Sequence, residues 1–490
     1  MTTKHVSQSN RSFFQKRHTF FTTWEFVGMF ILFFNISLFA QNPVNEFTNN
    51  TLHKNATISI QVKDLKTNKI IHSHRAGNAA IPASTMKLVT TATALELFGA
   101  DYQFKTMLEI DGKITVDSIL NGNLIIYGNG DPTLGSSKLG NINFLNDWLS
   151  AVRKAGIKQI NGNIIADASA YDTEGVNPKW LWEDMGNYFA SGAYGISYKD
   201  NTFEMELKSG TVGTTPEIVK ITPSIPELTF NNYLKSTTIR FDSAYFYGAP
   251  FQNERSIYGE IPAYKPSFKI KGDIPCPGLI LARDLAWKLK SSGIPISGNA
   301  IDEVYNSNKR SVIYTHLSPK LSEIIKEINV ASNNHYAEHL FRHLALQSGK
   351  PASSGEAVKR IKNFWKSKDL PVDELFMYDG SGLSPVNAVS ANFYVSLLTY
   401  MDKSKNNAVF RTSLPVAGKS GTLTNFLKNT ALDGKVQAKS GTFNRVKSYA
   451  GYISSNGKQF AFAIIVNNPN ANSLSATTKK IEEFLLSISK

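Results

Sequence analysis

The chain has 490 residues, which is more than one hydrophobic core usually holds, so we expect about three domains. Hydrophobic residues make up 42% and charged residues 19% of the sequence, a composition that excludes a disordered chain. The formal net charge is +14, but the basic residues are scattered. The charge therefore indicates no nucleic-acid partner, while contact with a membrane surface or an anionic wall polymer stays open. The single cysteine, Cys276, excludes an intrachain disulfide.

The first 40 residues have the pattern of a signal peptide. An apolar run over residues 26–39, ending at Ala40, follows four basic residues, Lys4, Arg11, Lys16 and Arg17. The run of about fifteen apolar residues is shorter than the ~20 that span a bilayer. The sequence therefore predicts cleavage after Ala40 and a secreted, periplasmic protein, with a retained membrane anchor as the alternative.

The two ends of the chain predict parts of one sheet. Residues 58–71 alternate between apolar and polar types around a turn, which indicates a hairpin, and residues 448–466 indicate another. A helix is predicted over residues 88–98, where Gly99 ends it, and a last helix at about 474–487. The economical arrangement is a single antiparallel sheet built from both termini with helices packed on it.

The middle of the chain has a different pattern. Residues 101–203 mix strands and a helix, which indicates an α+β unit; the elements are strands at 123–127 and 162–166 and a helix at about 144–155. Short alternating runs broken by Pro and Gly predict a small all-β module over residues 204–272. A helix follows at about 279–292, and from about residue 305 the chain is predicted to be helical until the final strands.

These patterns predict a discontinuous catalytic domain that carries an insertion. The predicted parts are a signal peptide (1–40), the catalytic domain (41–100 and 305–490), an inserted α+β domain (101–203 and 273–304) and a small all-β domain (204–272).

Ser84 and Lys87 form the first motif that carries chemistry. Pro82 precedes a predicted helix start, and the i, i+3 spacing places the hydroxyl and the amine on one helical face. A serine hydroxyl is a weak nucleophile until a neighbouring base takes its proton, and a desolvated lysine can be neutral enough to act as that base. Alone the motif is weak, because a capping serine with a solvated lysine would give the same spacing.

Two further polar motifs follow. Ser332-Asn333-Asn334 lies within an otherwise helical segment, and Lys439-Ser440-Gly441-Thr442 precedes the C-terminal hairpin. A second copy, Lys419-Ser420-Gly421-Thr422, is predicted to be loop because Pro415 and Gly418 precede it. A lysine that binds a carboxylate must project from a rigid edge strand beside the nucleophile, so we choose Lys439.

In this order the three motifs match the set Ser-x-x-Lys, Ser-x-Asn, Lys-Thr/Ser-Gly of serine β-lactamases and penicillin-binding proteins. The 248 residues from Ser84 to Ser332 exceed what a compact β-lactamase places there. The chain resembles the class C low-molecular-mass penicillin-binding proteins, the D-alanyl-D-alanine carboxypeptidase/endopeptidase family. Four more stretches agree with that family: residues 128–134 (GNGDPTL), 180–185 (WLWEDM), 379–384 (DGSGLS) and 414–418 (LPVAG).

The resemblance implies the fold and the activity. It implies an α+β protein with a serine β-lactamase/transpeptidase-like domain, whose antiparallel sheet is flanked by helices, and a large α+β insertion that itself carries the small all-β module. It implies a carboxypeptidase or D,D-endopeptidase that cleaves peptidoglycan peptides through an acyl-enzyme, without a cofactor or a metal. β-Lactam antibiotics would acylate the same serine. Whether the chain forms a homo-oligomer stays open.

The same resemblance assigns three catalytic roles. Ser84 would attack the carbonyl between two D-alanines, Lys87 would be its general base, and Ser332 would relay a proton to the leaving amine. The backbone N–H groups of Ser84 and Thr442 would form the oxyanion hole, in which each donor is worth about 3 kcal/mol.

Substrate binding is implied at the other motif residues. Asn334 would hydrogen-bond the substrate amide, and Lys439, Ser440, Gly441 and Thr442 would form the strand that holds the terminal carboxylate.

Asp131 in the Gly-Asp-Pro-Thr stretch would bind the free amine of the peptide's diamino acid, although its position before Pro132 also fits a simple turn. The chain departs from the family at Pro385, where relatives often carry a basic residue.

Two alternatives were weighed against this reading. His335-Tyr336-Ala337-Glu338-His339 matches the inverted zinc-peptidase motif His-x-x-Glu-His. A third ligand, usually an acid, is required downstream, and the sequence has no Asp or Glu between Asp402 and Asp433. The other alternative is a catalytically inactive wall-binding scaffold, which fold alone does not exclude.

Overall fold

The first elements of the fold lead directly to the Ser84 motif. The computed structural model describes residues 42–305, 309–348, 350–470 and 474–489, and the predicted signal peptide lies outside this part of the chain. The predicted hairpin is present, and Gly99, with φ 81°, ends the predicted helix. The elements are α1 (Pro43–Thr48), β1 (Thr57–Asp64), β2 (Ile70–His74), a 3₁₀ turn (Ala83–Met86) and α2 (Lys87–Phe98).

An α+β unit follows the catalytic helix, as predicted. Its helix α3 buries Phe144, Trp148 and Val152, which are spaced four residues apart and therefore share one face. The strands predicted near residues 123–127 and 162–166 are present with ends shifted by up to two residues. The elements are β3 (Lys105–Ile110), β4 (Lys113–Ile114), β5 (Ile119–Asn121), β6 (Leu124–Gly128), α3 (Phe144–Lys154), β7 (Gln159–Asn161) and β8 (Ile164–Asp167).

Eight short strands then form the predicted all-β module in three small sheets, with the orders β10-β9-β16, β11-β14-β13 and β12-β15. The strands are β9 (Thr202–Lys208), β10 (Glu217–Thr222), β11 (Thr229–Asn232), β12 (Lys235–Thr237), β13 (Tyr245–Tyr247), β14 (Glu254–Tyr258), β15 (Glu260–Pro262) and β16 (Phe268–Asp273). A buried ion pair joins two of them, because Arg255 Nε on β14 donates to Asp273 Oδ1 on β16 at 3.0 Å.

The chain re-enters the α+β unit through α4 (Pro277–Ser291), β17 (Ala300–Asp302) and β18 (Ser311–Leu317). The helical expectation from residue 305 is wrong for β18, which pairs antiparallel with β3 at the edge of the sheet β17-β8-β6-β3-β18. The sequence of β18 is rich in β-branched and aromatic residues, and the edge of β3 needs a partner.

The following helices surround α2. Asn333 caps α6, since its side chain accepts the N–H of Tyr336, and Ser353 and Ser390 cap α7 and α8 in the same way. The elements are α5 (Leu321–Val330), α6 (Asn334–His343), α7 (Ser354–Lys366), β19 (Leu375–Phe376), β20 (Ala388–Val389), α8 (Ala391–Lys403) and α9 (Asn407–Ser413).

The last elements complete the sheet that the sequence predicts from both ends of the chain. They are β21 (Val436–Phe443), β22 (Val446–Ser455), β23 (Lys458–Asn467) and α10 (Leu474–Ile488). The strand order is β2-β1-β23-β22-β21, all antiparallel, and we name it the terminal sheet. The edge strand β21 carries Lys439 and packs against the 3₁₀ turn that holds Ser84.

Alternate residues of the terminal sheet enter two different cores. Tyr452 and Ile465 pack with the helices around α2, whereas Ile453 and Ile464 pack with Phe484 of α10 on the other face. A third core lies within the insertion and unites the α+β unit with the all-β module. The sheet is thus buried on both sides, which fixes the position of its edge strand.

Candidate active site

Ser84 is the one residue between Pro82 and Leu95 that is not buried. It lies in the 3₁₀ turn before α2, where Ala83 has the left-handed φ of 48°. A glycine at position 382 allows a neighbouring loop to pack on this turn, because a Cβ there would lie 1.9 Å from the Ala83 carbonyl oxygen. The turn therefore presents the serine hydroxyl from an otherwise closed surface.

Lys87 has no exposed surface, and its Nζ atom has three oxygen neighbours. The amine donates to Ser84 Oγ at 3.0 Å, to Asn334 Oδ1 at 2.7 Å and to the carbonyl oxygen of Ser381 at 2.7 Å. Burial lowers the pKa of Lys87 to about 7. The negative charges of Asp379 and Glu338 act in the opposite direction and raise this pKa. Near neutral pH the amine can therefore lose a proton and accept one from the serine.

The Ser-x-Asn motif lies at the start of α6. Asn334 meets Lys87 through its side-chain oxygen and donates its Nδ2 to the Phe189 carbonyl oxygen at 2.9 Å, so it connects the catalytic amine to the inserted domain. Ser332 is partly exposed, with a left-handed φ of 58°, in the turn between α5 and α6. It lines a cavity of about 330 Å³ together with Phe189 and Asn334.

A buried carboxylate positions the loop that follows residue 378. Glu338 Oε1 accepts the N–H groups of Gly380 and Ser381 at 3.1 and 2.7 Å, which fixes the Ser381 carbonyl beside Lys87. Burial and the nearby Asp379 raise the pKa of Glu338. Sequence patterns predict no role for Ser381, although its DGSGLS stretch is part of the family resemblance.

The inserted domain contacts the same loop. Asp379 accepts the N–H of Gly382 at 2.8 Å and the indole N–H of Trp180 at 2.9 Å. Ser384 donates to the Lys179 carbonyl oxygen at 3.0 Å. The WLWEDM and DGSGLS stretches are thus two sides of one contact between the insertion and the catalytic loop.

Lys439 projects from the edge strand β21 and is completely buried. Its Nζ donates to the Ser440 carbonyl oxygen at 2.7 Å. Burial, together with the nearby charges of Lys87 and Lys447, holds the pKa of Lys439 well below its usual range. Gly441 allows the strand to approach the nucleophile turn, because a Cβ there would lie 2.4 Å from the Pro82 carbonyl oxygen.

Thr422 and Lys447, for which the motifs predicted no role, form hydrogen bonds with side chains of this strand. Ser440 Oγ donates to Thr422 Oγ1 at 2.8 Å, and Lys447 Nζ donates to Thr442 Oγ1 at 2.8 Å. Thr442 and Lys447 are directly opposed on β21 and β22, so their side chains share one face of the sheet. Only the antiparallel register reveals Lys447, which no local motif indicates.

The two Lys-Ser-Gly-Thr copies have different environments. Lys419 is 60% exposed and forms an ion pair with Asp433, with Nζ 3.0 Å from Oδ1. It lies in a loop before a short 3₁₀ turn, Gly421–Leu423, as its prolines and glycines indicate. One residue of the Lys419 copy, Thr422, contacts the motif on β21, because its hydroxyl accepts the hydrogen bond of Ser440.

The zinc-peptidase motif is not assembled as a metal site. The imidazole of His335 contacts Ser197 Oγ at 2.8 Å, and His339 contacts the Gly130 carbonyl oxygen at 3.2 Å, whereas Glu338 is engaged by the catalytic loop. Among the described residues, no three His, Cys, Asp or Glu side chains are grouped as metal ligands would be. These histidines connect α6 to the inserted domain.

Asp131 is buried in the turn before Thr133, and its expected role in binding the substrate amine stays a prediction. Its side chain is 2% exposed, and its Oδ1 accepts both the N–H and the hydroxyl of Thr133, at 2.8 and 2.7 Å. Burial raises its pKa to about 6. Oδ1 therefore forms the local turn that the alternative reading predicts, while the buried Oδ2 has no hydrogen-bond partner among the described residues.

Comparisons with known proteins agree with this geometry. The chain is 27% identical over 467 residues to the D-alanyl-D-alanine carboxypeptidase DacB of Haemophilus influenzae, covering 93% of this chain and 94% of the relative. It is 26% identical over 427 residues to a D-alanyl-D-alanine carboxypeptidase of Actinomadura, covering 84% of this chain and 78% of the relative.

The fold matches a solved structure. The crystal structure of penicillin binding protein 4 from Haemophilus influenzae superposes with a TM-score of 0.80 at 24% identity, over 91% of this chain and 99% of that one. This likeness confirms the predicted fold class. The model of the D-Ala-D-Ala carboxypeptidase 3 (S13) family matches residues 41–487. The chain belongs to the D-Ala-D-Ala carboxypeptidase 3 (S13) family of peptidases, as its three motifs indicated.

Proposed function

We propose that this chain is a serine-type D-alanyl-D-alanine carboxypeptidase or D,D-endopeptidase that cleaves peptidoglycan stem peptides through an acyl-enzyme. One observation carries the proposal: the Nζ atom of Lys87, buried and with a pKa of about 7, lies 3.0 Å from Ser84 Oγ. A general base works best when its pKa is close to the working pH, and burial supplies that shift.

The reaction follows from this pair. Neutral Lys87 takes the hydroxyl proton while Ser84 Oγ attacks the carbonyl carbon between two D-alanines. The C–N bond then breaks, and the proton passes from Lys87 through Ser332 to the leaving amine, which leaves an ester on Ser84. Water attacks the ester while Lys87 takes a proton from it; the ester bond breaks, Lys87 returns the proton to Ser84 Oγ, and the acid leaves. The backbone N–H groups of Ser84 and Thr442 would stabilise the oxyanion of both steps.

The carboxylate of the substrate would bind along β21. Lys439, Ser440 and Thr442 supply a cation and two hydroxyls there, and Gly441 allows the strand to lie against the nucleophile turn. A carboxylate next to Lys439 would raise the pKa of that amine again, because the opposite charge stabilises the ammonium form. Asn334 would hydrogen-bond the substrate amide.

Lys447 extends this carboxylate site. Because its ammonium donates to Thr442 Oγ1, the threonine hydroxyl hydrogen is free to be donated to the substrate. The amine of Lys447 also carries positive charge toward the place where the carboxylate would lie. We therefore assign Lys447 to substrate binding.

Penicillin would acylate the same serine. A structure of the Haemophilus influenzae protein has been solved in complex with a novel β-lactam, which supports this expectation. A peptidoglycan substrate implies an extracytoplasmic protein, and the basic and apolar pattern of residues 1–40 fits export. In the described ranges no helix has the length and apolarity needed to cross a bilayer.

The boundary between the catalytic domain and the insertion follows the cores. We propose a catalytic domain made of residues 41–100 and the helices and strands after residue 318, an α+β insertion, and the all-β module over about 204–272. The α+β insertion and the all-β module share one core, separate from those of the catalytic domain, and the module is distinguished by its short strands. The pairing of β18 with β3 moves the predicted end of the insertion from residue 304 to about 318.

Product analysis tests the function directly. Purified monomeric and crosslinked muropeptides, incubated with the mature protein, should lose a terminal D-alanine or the crosslink, and the masses of the products distinguish these two activities. Active-site labelling without turnover of either substrate would favour a wall-binding scaffold and contradict the proposal.

A further inference from the structure

Five aromatic side chains form a continuous row where the all-β module meets the segment that contacts Asn334. We name this row the aromatic strip; its members are Trp182, Tyr247, Tyr245, Tyr258 and Tyr233. The rings of Trp182 and Tyr247 are stacked with centroids 6.0 Å apart, and those of Tyr233 and Tyr258 are stacked at 4.9 Å. Tyr247 and Tyr258, at 5.6 Å, connect the two pairs.

The strip is open to solvent and rigidly supported. Trp182 is 57% exposed and Tyr233 53%, whereas Phe246 and Ile257, the inward neighbours on β13 and β14, are buried. The two strands pair antiparallel, so the alternation of side chains holds the tyrosines on one face. A contiguous exposed apolar patch of this kind usually marks a binding surface.

One segment, residues 182–189, contacts both the strip and the catalytic cleft. Asn187 joins the two regions, because its side chain donates to the Phe246 carbonyl oxygen at 3.0 Å and accepts the Phe246 N–H at 2.9 Å. Two residues later, the Phe189 carbonyl oxygen accepts the hydrogen bond of Asn334. A ligand that extends from the cleft along this segment would meet the exposed Tyr188 before it reaches Trp182 at the end of the strip.

The chemistry of the strip fits a sugar chain better than a protein or a lipid surface. The C–H faces of pyranose rings pack against aromatic faces, which carry partial negative charge, and tyrosine hydroxyls can hydrogen-bond sugar hydroxyl and amide groups. Tyrosine and tryptophan also occur at protein interfaces, so the choice of a sugar rests on the polymer that the proposed substrate carries. The stem peptide of the proposed substrate is attached to a glycan, so a sugar polymer lies a short peptide's length from the scissile bond.

We propose that the aromatic strip binds the amino-sugar glycan strand of peptidoglycan while the attached peptide occupies the cleft. This inference rests on the proposed cell-wall substrate and adds a site for the polymer to it. The strip would raise the affinity for polymeric wall without taking part in the chemistry at Ser84.

Glycan strands freed of their peptides by amidase digestion are the probe. Binding to the mature protein is measured by calorimetry for the wild type and for Trp182→Ala and Tyr258→Ala. Trp287→Ala is the matched control, because Trp287 is 71% exposed on α4 and outside the strip. Thermal melting verifies that each variant is folded.

We expect the wild type and the Trp287→Ala protein to bind equally, and both strip variants to bind at least tenfold more weakly. Turnover of a soluble acyl-D-Ala-D-Ala peptide should stay within twofold in all variants, while release from intact wall falls about fivefold in the strip variants. Absence of glycan binding by the wild type would overturn the inference, as would an equal loss in Trp287→Ala.

Two further results would also overturn it: a dimer that Trp182→Ala dissociates, or binding to anionic lipid vesicles in place of glycan. A different result would contradict the proposed function alone: a wild-type protein that binds glycan but turns over no peptide.

Discussion

The Nζ atom of Lys87 lies 3.0 Å from the Oγ atom of Ser84 although no part of the lysine is exposed to solvent. Its remaining protons point to Asn334 Oδ1 and to the Ser381 carbonyl oxygen, which belong to segments distant in the sequence. The base is thus held by the helix α6 and by the loop after residue 378, and its burial keeps its pKa near neutrality.

Acylation should depend on pH through Lys87. Burial lowers the pKa of this amine to about 7, so the active neutral form is scarce below that pH and dominant above it. The second-order rate of acylation by benzylpenicillin, measured between pH 5 and 9, should rise with an apparent pKa of about 7 and then level off. A Lys87→Ala variant should lose roughly 10²- to 10⁴-fold in rate. A rate independent of pH across this range would contradict the assignment.

Lys439 and Lys419 offer a matched comparison, because each begins a Lys-Ser-Gly-Thr segment. Lys439→Ala removes the buried amine that would become a cation beside the substrate carboxylate, and should lower kcat/KM for an acyl-D-Ala-D-Ala peptide about 100-fold. Lys419→Ala removes an exposed loop ion pair and should leave kcat/KM within about twofold. If steady-state assays showed a larger loss of kcat/KM in Lys419→Ala than in Lys439→Ala, the assignment of the carboxylate site to Lys439 would be contradicted.

Lys447 should affect binding of the free carboxylate more than the chemical step. Lys447→Gln should raise KM for the free acid about fivefold and leave kcat nearly unchanged, because it removes one charge from a partly exposed site. The C-terminal amide of the same peptide should show no such difference between wild type and variant. Lys458→Gln, at the far end of the terminal sheet, is the control. An equal KM increase for acid and amide would contradict a role in carboxylate binding.

The buried pair of Arg255 and Asp273 should be essential for the stability of the all-β module. Arg255→Ala leaves an uncompensated buried carboxylate, which costs about 3–5 kcal/mol, and urea unfolding should show an earlier transition. Lys269→Gln, which breaks an exposed pair with Glu204 on the same sheet, should leave the transition nearly unchanged. Equal effects of the two variants would contradict the importance of burial.

Local patterns predicted much of the active site. The i, i+3 spacing of Ser84 and Lys87 needs only a helix start, and the loop character of Lys419 follows from its prolines and glycines. The hairpins at both ends predicted the terminal sheet, because alternation and turn chemistry are local signals.

Residues whose roles depend on tertiary contacts could not be predicted. Lys447 reaches Thr442 through strand register, and Thr422 reaches Ser440 across a loop. Glu338 lies in the His-x-x-Glu-His motif, but only the tertiary structure shows its carboxylate accepting hydrogen bonds from the catalytic loop. Sequence does not report the burial of Asp131, and the edge strand β18 was missed because its pairing partner β3 lies about 200 residues earlier in the chain.

The covalent site of penicillin tests the account most directly. Intact-protein mass spectrometry after incubation with benzylpenicillin should show the wild type heavier by one penicillin molecule and the folded Ser84→Ala variant unchanged in mass. An adduct that persists on the Ser84→Ala protein, or a wild type that gains no mass, would contradict the assignment of Ser84 as the nucleophile.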